Sequence, residues 1–415
     1  MADGAVGGLE AAREEAWATD LSTLDMSLAE RFKNETMWPF FERLRAEAPV
    51  HFCPQSEHGP YWSVTKYADI MTVDTSHGVF SSEGGITIVE EQEDFKLPMF
   101  IAMDPPKHDA QRKSVSPIVS PHNLMNLEPV IRERAGEILD ALPIGEEFDW
   151  VDKVSIELTT QMLAILFDFP WEDRRKLTRW SDVAVNGPET GIVESEEAGR
   201  AELMECAAYF TNLWNERINL PPKNDLISMM AHAEATRNME PQEFLGNLIL
   251  LIVGGNDTTR NSISGGLYAL NKFPDEYRKL RDNPALIVSM VPEIIRWQTP
   301  LAHMRRRAIA DFELRDKTIR AGDKVVMWYV SGNRDEEAIE NPNAFIIDRP
   351  RPRQHLSFGF GIHRCVGNRL AEMQLRIVWE EILKRWHTIE VIGEPERVLS
   401  SFIKGYAHMP VRISP

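Results

Sequence analysis

Three stretches of this chain combine side chains whose types and spacing could do chemistry. The first is Phe358-Gly359-Phe360-Gly361-Ile362-His363-Arg364-Cys365-Val366-Gly367, where one cysteine sits among three glycines, an imidazole and a guanidinium. Glycines let a backbone approach a flat group closely. The amphipathic run from Asn368 to Trp386 places Cys365 just before a helix. First-turn N–H groups and the positive end of the helix dipole favour a thiolate, the form of cysteine that ligates metals. Without such surroundings a cysteine is more often a small buried hydrophobe. A cysteine hydrolase with His363 as base fits worse, because residues two apart diverge and the stretch supplies no oxyanion hole.

The second stretch, Asp104-Pro105-Pro106-Lys107-His108-Asp109-Ala110-Gln111-Arg112, sets His108 and Arg112 four apart on a helix begun by prolines. Both could grip one anion, although such a pair is ordinarily a solvated charged face. The third is Gly254-Gly255-Asn256-Asp257-Thr258-Thr259. Thr258 follows Gly254 by four, so its hydroxyl can bond that carbonyl, while the glycines leave a groove for a small ligand beside the acid of Asp257. A close helix–helix contact through small residues, with Asp257 at the surface, would explain the same pattern.

These stretches need elements to hold them. Pro241 suits a first helical turn and Pro274 a stop, which predicts a helix of ~33 residues and roughly 50 Å with the third stretch at its centre. Met37 to Ala48 has helical spacing, and Val50-His51-Phe52 with Tyr61 to Thr65 reads as two short strands. Gly84 to Met103 lacks a period and reads as a mobile loop. Amphipathic helices fill 120–240, with breaks at Pro170-Trp171 and Asn186-Gly187-Pro188. Thr318 to Val330, turning at Ala321-Gly322-Asp323, reads as a hairpin, and Ile389 to Ile413 as further short strands. Glu293 and Arg296, three apart, form by default a surface pair. Periodicity alone therefore gives a mainly α chain with some β.

At 415 residues, with no Gly/Ser/Pro-rich linker, one large domain over 26–415 is expected, preceded by a disordered leader over 1–25. Hydrophobic residues at 43% can build its core. Three scattered cysteines, Cys53, Cys206 and Cys365, make no disulfide framework. The leader has no signal-peptide core, and the apolar run Phe244 to Gly255 is too short to span a bilayer, so a cytoplasmic protein without a membrane anchor is expected. A net charge of −18 argues against nucleic acid.

The run Phe-Gly-x-Gly-x-His-x-Cys-x-Gly at Phe358 to Gly367 resembles the haem-ligand loop of the cytochrome P-450 monooxygenases. Three more motifs follow the family's order: His-x-x-x-Arg at His108 and Arg112, Gly-x-Asp-Thr ending at Asp257 and Thr258, and Glu-x-x-Arg at Glu293 and Arg296. The resemblance implies a mainly α fold with a small β-rich lobe, and thiolate-ligated haem b between the long central helix and the helix after Cys365. No CxxCH attachment motif occurs, so the haem would be held non-covalently.

By the same resemblance Cys365 is the axial ligand, His108, Arg112 and Arg306 meet the haem propionates, with Arg305 the alternative register, and Phe358, Gly359 and His363 belong to the cofactor loop. Thr258 and Asp257 relay the two protons that dioxygen needs before its O–O bond breaks. Leu301, Ala302, Phe402, Ile403 and Gly254 take pocket positions, and Glu293, Arg296 and Arg349 form a buried structural triad. The chain holds no dinucleotide or iron–sulfur motif, so electrons are expected from outside it, and the resemblance implies a ferredoxin and its reductase, fed by NADH, as the supply.

Gly254 to Ser262, with Trp297 to Arg306, is similar to the branch that hydroxylates terminal carbons of medium-chain alkanes and fatty acids. Steroid and terpenoid side-chain hydroxylases are the alternative. A haem-binding sensor without turnover would need no proton relay.

Overall fold

A computed structural model describes residues 2–414, with side chains from Gly8 onward. Its organising element is the helix Pro241–Lys272, 32 residues long, here called the central helix. The helix has few exposed positions because it packs against Glu157–Phe167, Arg175–Val185, Ile287–Gln298 and Asn368–Arg385. The last of these is the post-cysteine helix. Together they enclose the largest apolar core.

Two smaller cores are separate from it. They flank a five-stranded sheet ordered Val50–Cys53, Tyr61–Val64, Lys324–Met327, Met304–Ala308, Phe80–Ser81. Tyr61–Val64 runs parallel to Lys324–Met327, and the other pairs are antiparallel. The helix expected over Met37 to Ala48 forms as Trp38–Glu47. Gly84 to Met103 is irregular apart from one 3₁₀ turn at Phe100–Ala102.

Two expectations change. The hairpin over Thr318 to Val330 does not form. Lys317–Ile319 pairs with Phe312–Leu314, whereas Lys324–Met327 enters the larger sheet, whose neighbours on both sides bury Val325, Val326 and Met327. The leader is not disordered, since Ala2–Ala18 is a helix lying on Trp38–Glu47. Ala12 and Ala16, four apart and buried, allow the close approach, and Arg43 donates to the carbonyls of Ala16 and Thr19 at the helix end.

Glu293 and Arg296 form the buried pair that the resemblance implies, in place of the default surface pair. Both are fully buried, joined by hydrogen bonds of 2.7 and 2.8 Å, and Arg349 adds a third at 3.0 Å. Arg296 also donates to the carbonyls of Asn333, Pro342 and Ala344, so the triad ties together the chain leading to the cysteine loop.

Candidate active site

The cysteine loop is held by its backbone. Gly361 has φ of 66°, and a Cβ there would lie 2.7 Å from the carbonyl oxygen of Asp74, so only glycine fits. The Cys365 N–H donates to the Phe358 carbonyl at 2.8 Å and closes the loop. Asp74, buried at the end of helix Tyr67–Thr75, braces it from outside. Its carboxylate accepts from the Phe360 N–H at 2.8 Å, the Tyr329 hydroxyl at 2.9 Å and the Arg306 guanidinium at 2.8 Å. Gly359 passes beside it, with φ of 63°.

Neither Asp74 nor Tyr329 carries any local signal in the sequence. Asp74 lies in an ordinary short helix, and only the fold brings it to Phe360, 286 positions later.

Around Cys365 the expected residues converge. The rings of His108 and His363 meet edge to face at 4.3 Å. Arg112 donates to the Arg364 carbonyl. Burial, followed by the nearby charge of Arg306, holds the His363 imidazole neutral and well below its ordinary pKa. Strand alternation separates the two candidate arginines. Arg306 faces Asp74 and this cluster, whereas Arg305 points the other way, to Glu90 at 3.1 Å.

Burial pushes the Cys365 thiol up, and the Gly367 N–H, Arg112 and Arg364 oppose that shift. Cys365 is nonetheless an exposed residue. A side chain lining a concavity is both accessible and ringed by protein. The net direction differs from the thiolate expected of a helix start, because desolvation outweighs those three opposing groups. Coordination to a metal cation deprotonates a thiol outright.

In the central helix, Thr258 Oγ1 donates to the Gly254 carbonyl at 3.2 Å, as the spacing requires. A Cβ on Gly254 would have no neighbour within 4 Å, so this side of the helix borders open space. Asp257 turns the other way. Fully buried, it accepts from Ser181 at 2.8 Å and pairs with Arg260, which also reaches Asp182 at 2.8 Å. Desolvation raises the Asp257 pKa, with Arg260 opposing it. The acid is therefore bound to helix Arg175–Val185, away from Thr258.

Near the C-terminus, Leu301 bridges to Ile403, and the Ala302 N–H donates to the Phe402 carbonyl at 2.8 Å. Leu301 and Phe402 are half-buried. Ala302 departs from its expected pocket position, for its methyl lies fully buried in the core around Phe40, Phe41 and Trp328. Successive side chains of an extended strand face opposite ways, so Leu301 and Ala302 cannot share a wall. His303, a site the motifs did not single out, donates from Nδ1 to the Ser401 carbonyl at 3.0 Å and accepts the Ile88 N–H at 3.1 Å. It thereby clamps the irregular 84–103 segment to the C-terminal turn.

Comparison with known proteins bears on this geometry. Residues 200–401 match the family described as Cytochrome P450. Linalool 8-monooxygenase of Pseudomonas putida is 36% identical over 94% of this chain and 99% of its own length. The chain belongs to the cytochrome P450 family. A cytochrome P450-153 from Novosphingobium aromaticivorans superposes with a TM-score of 0.88 at 49% identity, over 94% of this chain and 99% of its own. CYP153D17 from Sphingomonas sp. gives 0.89 at 52% identity, with the same coverage. This P450 is thus a haem-thiolate monooxygenase with the family's fold.

The residues present fit the haem. Nε2 of His108 and both ring nitrogens of His363 are buried without a partner, as they would be where propionate oxygens belong. Cys365 would ligate the iron, while Arg112 and Arg306 would add charge to the propionate grip. No helix among the described residues is long and apolar enough to cross a membrane.

Proposed function

We propose that this P450 hydroxylates the terminal carbon of medium-chain alkanes or fatty acids. The observation that carries the reading is the open side of the central helix at Gly254, one turn before Thr258, in a chain whose Leu301–Ile403 bridge supplies an aliphatic wall. An aliphatic wall beside an open helix face suits an alkyl chain.

Bound haem supplies the activation of dioxygen and the insertion of one oxygen atom into a C–H bond, with the thiolate favouring O–O cleavage. The chain's own part is positioning and proton supply. Thr258 holds a hydroxyl at the open face, with its lone pairs free to accept from water. Asp257 serves the relay by leaving Ser181, which frees one carboxylate oxygen to turn toward the interior.

Terminal oxidation must overrule the weaker secondary C–H bond, and a tenfold preference requires about 1.4 kcal/mol between competing barriers. A few steric contacts can supply that. The relatives' names agree with chain-end chemistry: a methyl-branched lipid omega-hydroxylase of Mycobacterium tuberculosis is 31% identical over 89% of this chain and 90% of its own. A linear terpenoid alcohol is the second reading, favoured by the match to linalool 8-monooxygenase.

Electrons come from a ferredoxin and reductase. Arg364, Arg369 and Lys113 are exposed near the cysteine loop, where they can meet an acidic partner despite the net −18. Arg364→Glu should slow reduction by ferredoxin and leave reduction by dithionite unchanged. The test of substrate is product regiochemistry from octane, octanoic acid, linalool and a sterol. Mainly 1-octanol and 8-hydroxyoctanoate support the proposal. Mainly inner-carbon alcohols, or conversion of linalool or sterol alone, would remove it.

A further inference from the structure

Away from the cysteine loop and Gly254, a cleft of about 370 Å³ opens between helix Glu196–Arg217, the segment 93–97 and the first turns of the central helix. That volume lies within the usual range for small-molecule sites, roughly 300–1,000 Å³. Its lining includes Phe95, Leu97, Met204, Trp214 and Phe244. Trp214 and Phe244 meet edge to face at 5.0 Å, and neither is closed off from solvent. Met204 is 54% exposed, unusual for so large an apolar side chain, and stands at the lip. Arg200 fastens the opposite wall by pairing with Asp94 at 2.7 Å and lying 5.2 Å over the Phe95 ring.

One cation joins this apolar surface. Arg237 lines the cleft, is exposed, and has no ion pair among the described residues. In a chain of net −18 the wider surface repels anions, so a free guanidinium beside an aromatic groove selects locally for one. The space suits one alkyl chain and is far too small for a docked protein, which needs on the order of 1,000 Å² of interface.

We propose that this cleft is a second binding site, for a medium-chain carboxylate, with the alkyl chain against Phe95, Trp214 and Phe244 and the head group on Arg237. The site is separate from the haem pocket and does not depend on which carbon the enzyme oxidises. Bound there, a fatty acid is held at the surface without touching the iron.

The test uses the holoenzyme with its iron saturated by imidazole, so that ligand in the haem pocket is blocked and monitored by the Soret band. Brominated dodecanoic acid is titrated while tryptophan fluorescence is read, with brominated dodecanol as the neutral control. Saturable quenching by the acid is expected, and Trp214→Phe should remove it. Arg237→Ala should weaken the acid about threefold, the worth of one rim-exposed ion pair, and leave the alcohol unchanged. Met204→Asp, at an exposed position, should weaken both ligands. Quenching that survives Trp214→Phe, no saturable quenching at all, or an equal effect of Arg237→Ala on acid and alcohol would each overturn the proposal. Octane or linalool regiochemistry is untouched by any of these outcomes, so the two sites fail separately.

Discussion

Gly361 in the cysteine loop and Gly254 in the centre of the central helix each stand beside a reactive side chain, and they are used in opposite ways. At Gly361 the backbone is left-handed and a Cβ would strike the Asp74 carbonyl. The loop is crowded, and Asp74, itself held by Tyr329 and Arg306, fixes it through the Phe360 N–H. At Gly254 the backbone is ordinary helix and a Cβ would meet nothing. A ligand loop must stay in one geometry through turnover, whereas the opposite face must admit substrate, oxygen and water in turn. Rigidity on one side and open space on the other follow from those two tasks.

The contrast can be broken most severely at the sulfur. Cys365→Ser should abolish the thiolate-type carbon-monoxide band and all turnover, while Cys53→Ser and Cys206→Ser keep both. A retained band in Cys365→Ser would mean that another residue ligates the iron.

Next comes the brace. Asp74→Ala leaves the buried Arg306 without its counter-charge and the Phe360 N–H without an acceptor, so we expect a loss of about 3–5 kcal/mol in unfolding free energy, together with weakened haem retention. Denaturant titration and haem transfer to apomyoglobin measure the two effects. A stable, haem-replete Asp74→Ala protein would show that the loop does not depend on the brace.

On the open side the fold should tolerate change. Thr258→Ala is expected to keep stability and haem content yet divert several-fold more of the consumed NADH into hydrogen peroxide. Equal coupling in the variant would return Thr258 to a packing role.

The smallest effect concerns the His303 clamp. Burial lowers its pKa from the ordinary 6.5 to about 3, so the folded protein keeps the ring neutral while the unfolded chain takes up a proton below 6.5. Its contribution is therefore complete above pH 6.5 and declines as pH falls from there toward 3. His303→Gln should flatten that part of the stability–pH curve, as read by unfolding at pH 7.5 and pH 5. An unchanged slope would place the acid sensitivity in other groups.

How far the sequence reaches depends on whether partners are near in the chain. The length of the central helix and the Thr258-to-Gly254 hydrogen bond are local, and spacing alone states them. The Asp74 brace, the sequestering of Asp257 by Ser181, and the His303 clamp join residues tens to hundreds of positions apart, so no period or spacing announces them.

Orientation is decided in the same way. Arg305 and Arg306 are indistinguishable as letters, and only the pleat of strand Met304–Ala308 sends one to Glu90 and the other to the cysteine loop. Ala302 looks like a pocket residue until the bridge of Leu301 to Ile403 turns its methyl into the opposite core. The leader looks unstructured because it carries acidic residues and no apolar core, yet its helix Ala2–Ala18 lies on Trp38–Glu47. By itself the sequence determined the chemistry available and the family that uses it, since those rest on contiguous motifs. Which side chains face the cofactor, and which are held away from it, was left to tertiary packing, because facing is a property of two surfaces brought together.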